Sequence, residues 1–224
     1  MKIVISGYGK MGKMVEKVLA EQHIACAGTT EDVAAFSDET AREAVCIDFT
    51  TPAAFRANYP VLAKKFKAVV VGTTGWYDIK DDVFSVFRKA HTTLIWASNF
   101  SVGVTVTSAA VDLISGLLAK SGGYSPYLVE KHHIHKLDAP SGTAKTLAEV
   151  VEKNMRGEVP ISSVRVGEIP GIHTIAFEGL NDRITVEHEA FSRQGFAQGA
   201  VRAATMTEKV ATGVYEFKEL FFSN

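Results

Sequence analysis

The densest chemistry in the sequence runs from Glu130 to Thr143: Glu130-Lys131-His132-His133-Ile134-His135-Lys136-Leu137-Asp138-Ala139-Pro140-Ser141-Gly142-Thr143. Three histidines, two lysines and two acids fall within its first nine residues. Imidazole can relay a proton near neutral pH, and lysine adds a cation and a proton donor. Adjacent strand residues face opposite ways, so His132 and His133 share a site only if the chain leaves its strand there. Asp138-Ala139-Pro140 then turns the chain, and Ser141-Gly142-Thr143 opens a helix whose first N–H groups can hold a carboxylate. Lys136 beside that helix start makes an anion pocket. Three other readings compete. A zinc site from His132, His133 and His135 lacks both the H-E-x-x-H spacing and a C-x-x-C pair, so no metal is expected. Ser141 as a nucleophile fits neither G-x-S-x-G nor S-x-x-K. The third alternative is a solvated polar loop.

A second motif opens the chain. Gly7-Tyr8-Gly9-Lys10-Met11-Gly12 is a G-x-G-x-x-G placed directly after an apolar strand and at the start of a helix. There the glycines allow a tight turn, close approach of a pyrophosphate and close helix–strand packing. The acid expected about 20 residues on for the ribose hydroxyls is Glu31, with Asp32 beside it. Two carboxylates would repel a 2′-phosphate and so favour NADH, although Thr29, Thr30 and Lys10 leave room for NADPH. Gly72-Thr73-Thr74-Gly75 and Ala97-Ser98-Asn99-Phe100 end predicted strands, where a doubly wound sheet binds its ligand. Either could equally be a plain connecting turn.

These motifs need a scaffold. Lys2–Ser6, Ile24–Gly28, Val45–Phe49, Ala68–Gly72 and Thr93–Ala97 read as strands, alternating with helices after Gly9, after Pro52 and up to about residue 90, the last capped by Asp78 or Asp81. Residues 29–44 read as a loop with a poor helix. This alternation predicts a parallel sheet with helices on both faces. After Asn99 the rhythm changes: a largely buried helix over Val104–Leu118, a strand at Tyr127–Lys131, a helix from Thr143, strands near 162–168, 172–178 and 182–190, then a helix over Phe196–Val210. The fold class is α/β, a Rossmann-like doubly wound sheet plus a smaller α+β domain with a mixed sheet. The expected division is 1–99 with 196–224 for the dinucleotide and 100–195 for substrate and oligomerisation.

Composition narrows the partners. Across 224 residues, 24 Lys+Arg against 25 Asp+Glu leave a net charge of -1, with no basic footprint for nucleic acid. No apolar run is expected to reach membrane length, and the N-terminus lacks a signal-peptide pattern. Cys26 and Cys46 read as two buried small hydrophobes in a reducing, cytoplasmic compartment.

Glu130–Ala144 resembles the signature E-x-H-H-x-x-K-x-D-A-P-S-G-T-A of the dihydrodipicolinate reductase family. The glycine loop, Gly72–Gly75, Ala97–Phe100, Gly171-Ile172-His173-Thr174 and Phe196-Ala197-Gln198-Gly199-Ala200 are similar in the same order, while residues 29–44 match poorly. The resemblance implies reduction of a cyclic imine dicarboxylate by NADH or NADPH on the route to diaminopimelate and lysine, in a homotetramer. It implies His132 as proton donor/acceptor and Lys136 as proton donor, with His133, Gly142 and Thr143 on the substrate. Gly7, Tyr8, Gly9, Lys10, Met11, Gly12, Glu31, Gly72, Thr73, Thr74, Ala97, Ser98, Asn99 and Phe100 would contact the cofactor, and the C-terminal tail would return to the first domain. Two departures stand out. The loop GYGKMG is one residue shorter than the family's longer form, and Asp32 stands where many relatives carry an arginine. Outside this family, the same features allow an oxidoreductase acting on an amino- or keto-acid, or a protein that binds a dinucleotide without chemistry.

Overall fold

The computed structural model describes residues 1–223. The chain divides into two compact units: Met1–Ser101 with the chain from Phe196 onward, and Val102–Gly195. The first unit opens with β1 (Lys2–Ser6), α1 (Lys10–Glu21), β2 (Ala25–Thr30), α2 (Asp38–Glu43), β3 (Ala44–Asp48), α3 (Pro52–Lys65), β4 (Ala68–Val71), α4 (Lys80–Lys89) and β5 (Thr93–Trp96). Thr51 caps α3 by accepting from the Ala54 N–H, and Pro52 occupies its first turn, where a missing N–H is harmless. The expected acidic cap of α4 is absent. A short 3-10 turn, Tyr77–Ile79, leads straight into it, and Asp78 instead pairs with Arg56. Between β2 and β3, Ser37 caps a single short helix, and buried Val33 and Ala41 tie that stretch to the core.

The second unit holds α5 (Val102–Ser121), β6 (Ser125–His132), α6 (Gly142–Asn154), β7 (Ile161–Arg165), β8 (Ile172–Glu178) and β9 (Arg183–Glu189). Its sheet runs β7-β6-β8-β9; β6 and β7 are parallel and the other pairs antiparallel. Leu128, Ile175 and Phe177 pack with Val111 and Leu118 of α5 and with Leu147 and Val151 of α6. Two expectations about α5 need correction. It runs for 20 residues, long and apolar enough by length and composition to cross a membrane, because it starts two residues earlier, at Val102, and continues through Ala119-Lys120-Ser121. It is also only partly buried: Val111 and Leu118 enter the core, whereas Val106, Leu113 and Leu117 are exposed.

The chain then returns to the first unit through α7 (Gln194–Met206), β10 (Val214–Glu216) and α8 (Phe217–Phe222). β10 pairs in parallel with β5, completing a six-stranded sheet in the order β10-β5-β4-β3-β1-β2. β3, β4 and β5 are buried throughout, as apolar central strands must be. Cys46 lies in that core, but Cys26 is exposed, because β2 is the edge strand. The order reverses between β1 and β3, which have β2 and β4 on opposite sides, and such a switch point opens a crevice beyond the strands' carboxyl ends.

Candidate active site

In the first unit the crevice beyond β1 and β3 is built by close backbone approach. Gly7 has φ +85°, and a Cβ there would lie 2.4 Å from the Phe49 carbonyl oxygen. A Cβ on Gly12 would lie 2.2 Å from the Gly7 carbonyl oxygen, so α1 can start against the turn only with glycine there. Gly9 has open space around it. It caps α1 without a side chain, and no acid occupies the first turn, which leaves that helix start suited to an anion. Glu31 accepts a hydrogen bond from the Tyr8 N–H at 2.6 Å, placing its carboxylate at the loop. Asp32 instead accepts from the N–H groups of Ala34 and Ala35, so its charge closes a turn.

At the carboxyl end of β3 lies buried Asp48. Ser6 Oγ and Thr73 Oγ1 donate to its carboxylate at 2.8 and 2.5 Å, and Thr50 Oγ1 donates at 3.0 Å. Burial pushes its pKa up more than these hydrogen bonds pull it down. Thr73 also accepts from the Thr50 N–H, and its carbonyl accepts from Trp76 Nε1. The Thr73 side chain is therefore committed to the scaffold, while Thr74 and Ser98 are exposed. Ala97 and Phe100 are buried; the Phe100 ring packs on Phe217 with centroids 5.1 Å apart. Any contact from Phe100 to a ligand would have to use its backbone. Gly72 is a glycine for its neighbour's sake, since a Cβ there would meet the Phe49 ring.

In the second unit, β6 ends at His132 and the chain turns away, as sharing of a site by His132 and His133 requires. Glu130, fully buried, gathers the segment. It accepts from His132 Nδ1, from Arg165 Nη1 and Nη2 at 2.9 and 2.7 Å, and from the Ser141 N–H at 3.3 Å. Arg165 also donates to the carbonyls of Lys136 and Asp138, at 3.3 and 2.6 Å. Lys136 Nζ donates to Asp138 Oδ1 at 2.7 Å. Ser141 Oγ caps α6 by accepting from the Ala144 N–H and lies 3.0 Å from His173 Nε2. Burial pushes the Glu130 carboxyl up, but hydrogen bonds from Arg165, Ser163 and His132 outweigh it and hold the pKa at about 2. Burial lowers the pKa of His132, outweighing the opposing pull of Glu130. Among the described residues no set of three His, Cys, Asp or Glu side chains is placed to hold a metal ion.

His173 is buried and held neutral, its pKa lowered from the ordinary 6.5 to about 4 by burial and then by His132. An unfolded histidine takes up its proton near 6.5, so this contribution is complete above that pH and is lost as the pH falls to about 4. The full shift corresponds to about 3 kcal/mol at 1.36 kcal/mol per unit. Thermal melts at pH 4.5 and 7.5 are expected to show a smaller loss on acidification in His173→Gln than in the parent. Parallel losses in both proteins would refute this assignment.

The family profile described as "Dihydrodipicolinate reductase, N-terminus" matches residues 1–100, and "Dihydrodipicolinate reductase, C-terminus" matches residues 103–221. The chain belongs to the dihydrodipicolinate reductase family. A 4-hydroxy-tetrahydrodipicolinate reductase from Christiangramia forsetii is 36% identical, with 98% of this chain and 97% of that one covered. The enzyme of the same name from Methanocorpusculum labreanum is 32% identical, covering 98% of each chain. Among solved structures, dipicolinate-bound dihydrodipicolinate reductase from Paenisporosarcina sp. TG-14 shares the fold, with a TM-score of 0.78 at 20% identity over 96% of this chain and 97% of that one. An aspartate dehydrogenase from Thermotoga maritima also shares it, with a TM-score of 0.54 at 11% identity over 94% and 97%. The scaffold alone therefore does not select a substrate within this superfold.

Reading the sequence missed the partners that organise this segment. Arg165 and His173 received no role, although His173 sits in a stretch similar to the dihydrodipicolinate reductase pattern. The usable signal was pairing: Glu130 lies opposite His173 across β6 and β8, and His132 opposite Arg165 across β6 and β7.

Proposed function

We propose that this chain is a 4-hydroxy-tetrahydrodipicolinate reductase, an NAD(P)H-dependent oxidoreductase that reduces a cyclic imine dicarboxylate to tetrahydrodipicolinate in diaminopimelate and lysine biosynthesis. The observation that carries the reading is the network of Glu130, His132, Arg165, Ser141 and the Lys136 turn, which gathers an imidazole, an ammonium and a helix start within one segment. A substrate with two carboxylates needs cations and N–H donors. Lys136, His133 and the Gly142–Thr143 start of α6 supply them. Bound NADH or NADPH supplies the hydride. His132 acts as proton donor/acceptor through Nε2, and Lys136 as proton donor to the atom left electron-rich.

The glycine loop holds the cofactor phosphates on the start of α1, Glu31 takes the ribose hydroxyls, and the backbones of Gly72–Thr74 and Ala97–Phe100 line the nicotinamide side. We infer a preference for NADH, supported by the Glu31 carboxylate at the Tyr8 N–H, where a 2′-phosphate would meet a like charge. Asp32 no longer supports that argument, since its carboxylate is taken up by backbone N–H groups. Glu31→Gln is expected to reduce the ratio of NADH to NADPH efficiency by about tenfold, corresponding to about 1.4 kcal/mol. An unchanged ratio would remove Glu31 from cofactor choice. We also infer a homotetramer built through the second unit, whose sheet leaves β7 and β9 at its edges, with Val164 exposed on β7. Light scattering on the eluting protein tests this.

The decisive assay supplies the unstable product of the preceding synthase and follows nicotinamide absorbance. NADH or NADPH should be consumed only when that imine is present, with dipicolinate as a competitive inhibitor. Binding of NADH without imine-dependent oxidation would leave a dinucleotide-binding protein. Turnover of an amino- or keto-acid instead would assign a different dehydrogenase.

A further inference from the structure

Glu130 and Arg165 are given no part in the proton transfer above, yet the candidate proton-handling side chains are anchored on them. We propose that they are positioning residues: the carboxylate fixes which imidazole nitrogen of His132 is left to exchange a proton, and the guanidinium holds the turn that carries Lys136. The inference rests on the reading of His132 and Lys136 as the proton-handling pair.

The Glu130 side chain has no exposed surface, and an ionised carboxylate only accepts hydrogen bonds. Facing His132 Nδ1, it holds the ring's single neutral-form proton there and leaves Nε2 with its lone pair. Space beside Nε2 comes from residue 171 being glycine, because a Cβ at that position would lie 3.0 Å from Nε2. The charged and titratable groups around His132 are Glu130 on its own strand, Arg165 on β7, His173 on β8 and Lys136 on the following turn. Of these, Glu130 is the one that supports the imidazolium; Lys136 and Arg165 oppose it.

Arg165 spans more than one partner can explain as charge pairing. It meets both oxygens of Glu130 and, on the same guanidinium, the carbonyls of Lys136, Asp138 and Val164. This ties β7, the end of β6 and the turn before α6 to one rigid plane. A lysine would keep the charge but could not reproduce the fork. Arg165→Lys therefore separates geometry from electrostatics, and Glu130→Gln separates the carboxylate's charge from its size.

The test combines steady-state kinetics of the full chain over pH with 15N NMR of its histidines. Arg165→Lys is expected to lower kcat by about 10–100-fold, the range for a small misplacement of reacting groups, with NADH affinity unchanged. Glu130→Gln is expected to move the acid limb of the kcat/KM profile to lower pH. The neutral His132 ring should carry its proton on Nδ1 in the parent and become a mixture in Glu130→Gln. Folded variants with parental kcat and an unmoved pH profile would overturn the proposal. A parent protein with the His132 proton on Nε2 would overturn it too, and that spectrum requires neither variant to fold. A parent that never oxidises NADH with the imine overturns the functional reading instead, while the tautomer spectra still decide the role of Glu130.

Discussion

Turnover of the cyclic imine is expected to fall by about 10²–10⁴-fold in His132→Gln and in Lys136→Cys, the range typical for loss of a general acid or base. The two variants should differ in KM. In the proposed reaction Lys136 binds a substrate carboxylate as well as donating a proton, so Lys136→Cys should also raise KM for the imine. His132 has its Nδ1 engaged by Glu130 and, in the proposed reaction, would meet the substrate through Nε2 alone, so His132→Gln should act mainly on kcat. Both should retain NADH affinity, because neither lies in the unit that carries the glycine loop. Single-turnover mixing of enzyme, NADH and imine separates binding from chemistry. Full turnover in both variants would remove these two side chains from the reaction.

The second large effect concerns two glycines of one loop that act for different reasons. Gly12→Ala is expected to abolish NADH binding and to lower the melting temperature sharply. Its Cβ would be 2.2 Å from the Gly7 carbonyl oxygen and 3.3 Å from Ile5 Cγ2, so α1 must shift away from the turn. Overpacking of this kind costs about 1–3 kcal/mol or more, and here the obstacle is backbone with little freedom to move. Gly9→Ala should leave the fold intact, since nothing in the protein lies within 4 Å of the added carbon. It should still weaken NADH by about tenfold or more, because the second glycine lets the pyrophosphate approach the backbone. Calorimetric melts paired with NADH fluorescence titrations read the two quantities separately. Equal losses of both in Gly9→Ala would show that this glycine, too, serves the fold.

The parallel core of the first unit was legible because apolar runs such as Ala68–Val71 leave no polar face for solvent. The segment from Glu130 to Thr143 was legible because its polar residues are close in sequence and because Pro140 and Ser141 punctuate it. What stayed hidden was decided by tertiary pairing. β10 has three residues and becomes a strand only against the edge of β5. Arg165 reaches Glu130 from 35 residues away through strand register, which no local pattern encodes. Cys26 looked apolar in context, but exposure depends on β2 being outermost. The acids near residue 80 resembled a cap, yet Asp78 satisfies an arginine on α3 instead.

The first unit is interrupted by the whole of the second, and its last strand joins the sheet beside β5. During synthesis at about 5–20 residues per second, β5 leaves the ribosome several seconds or more before its partner. For that interval its outer edge lacks the neighbour it will have. The intervening unit has already been made by then and can close on its own contacts. Completion of the six-stranded sheet is thus delayed until Val214–Glu216 has been made, and a nascent chain stalled before Val214 would carry an unsealed strand.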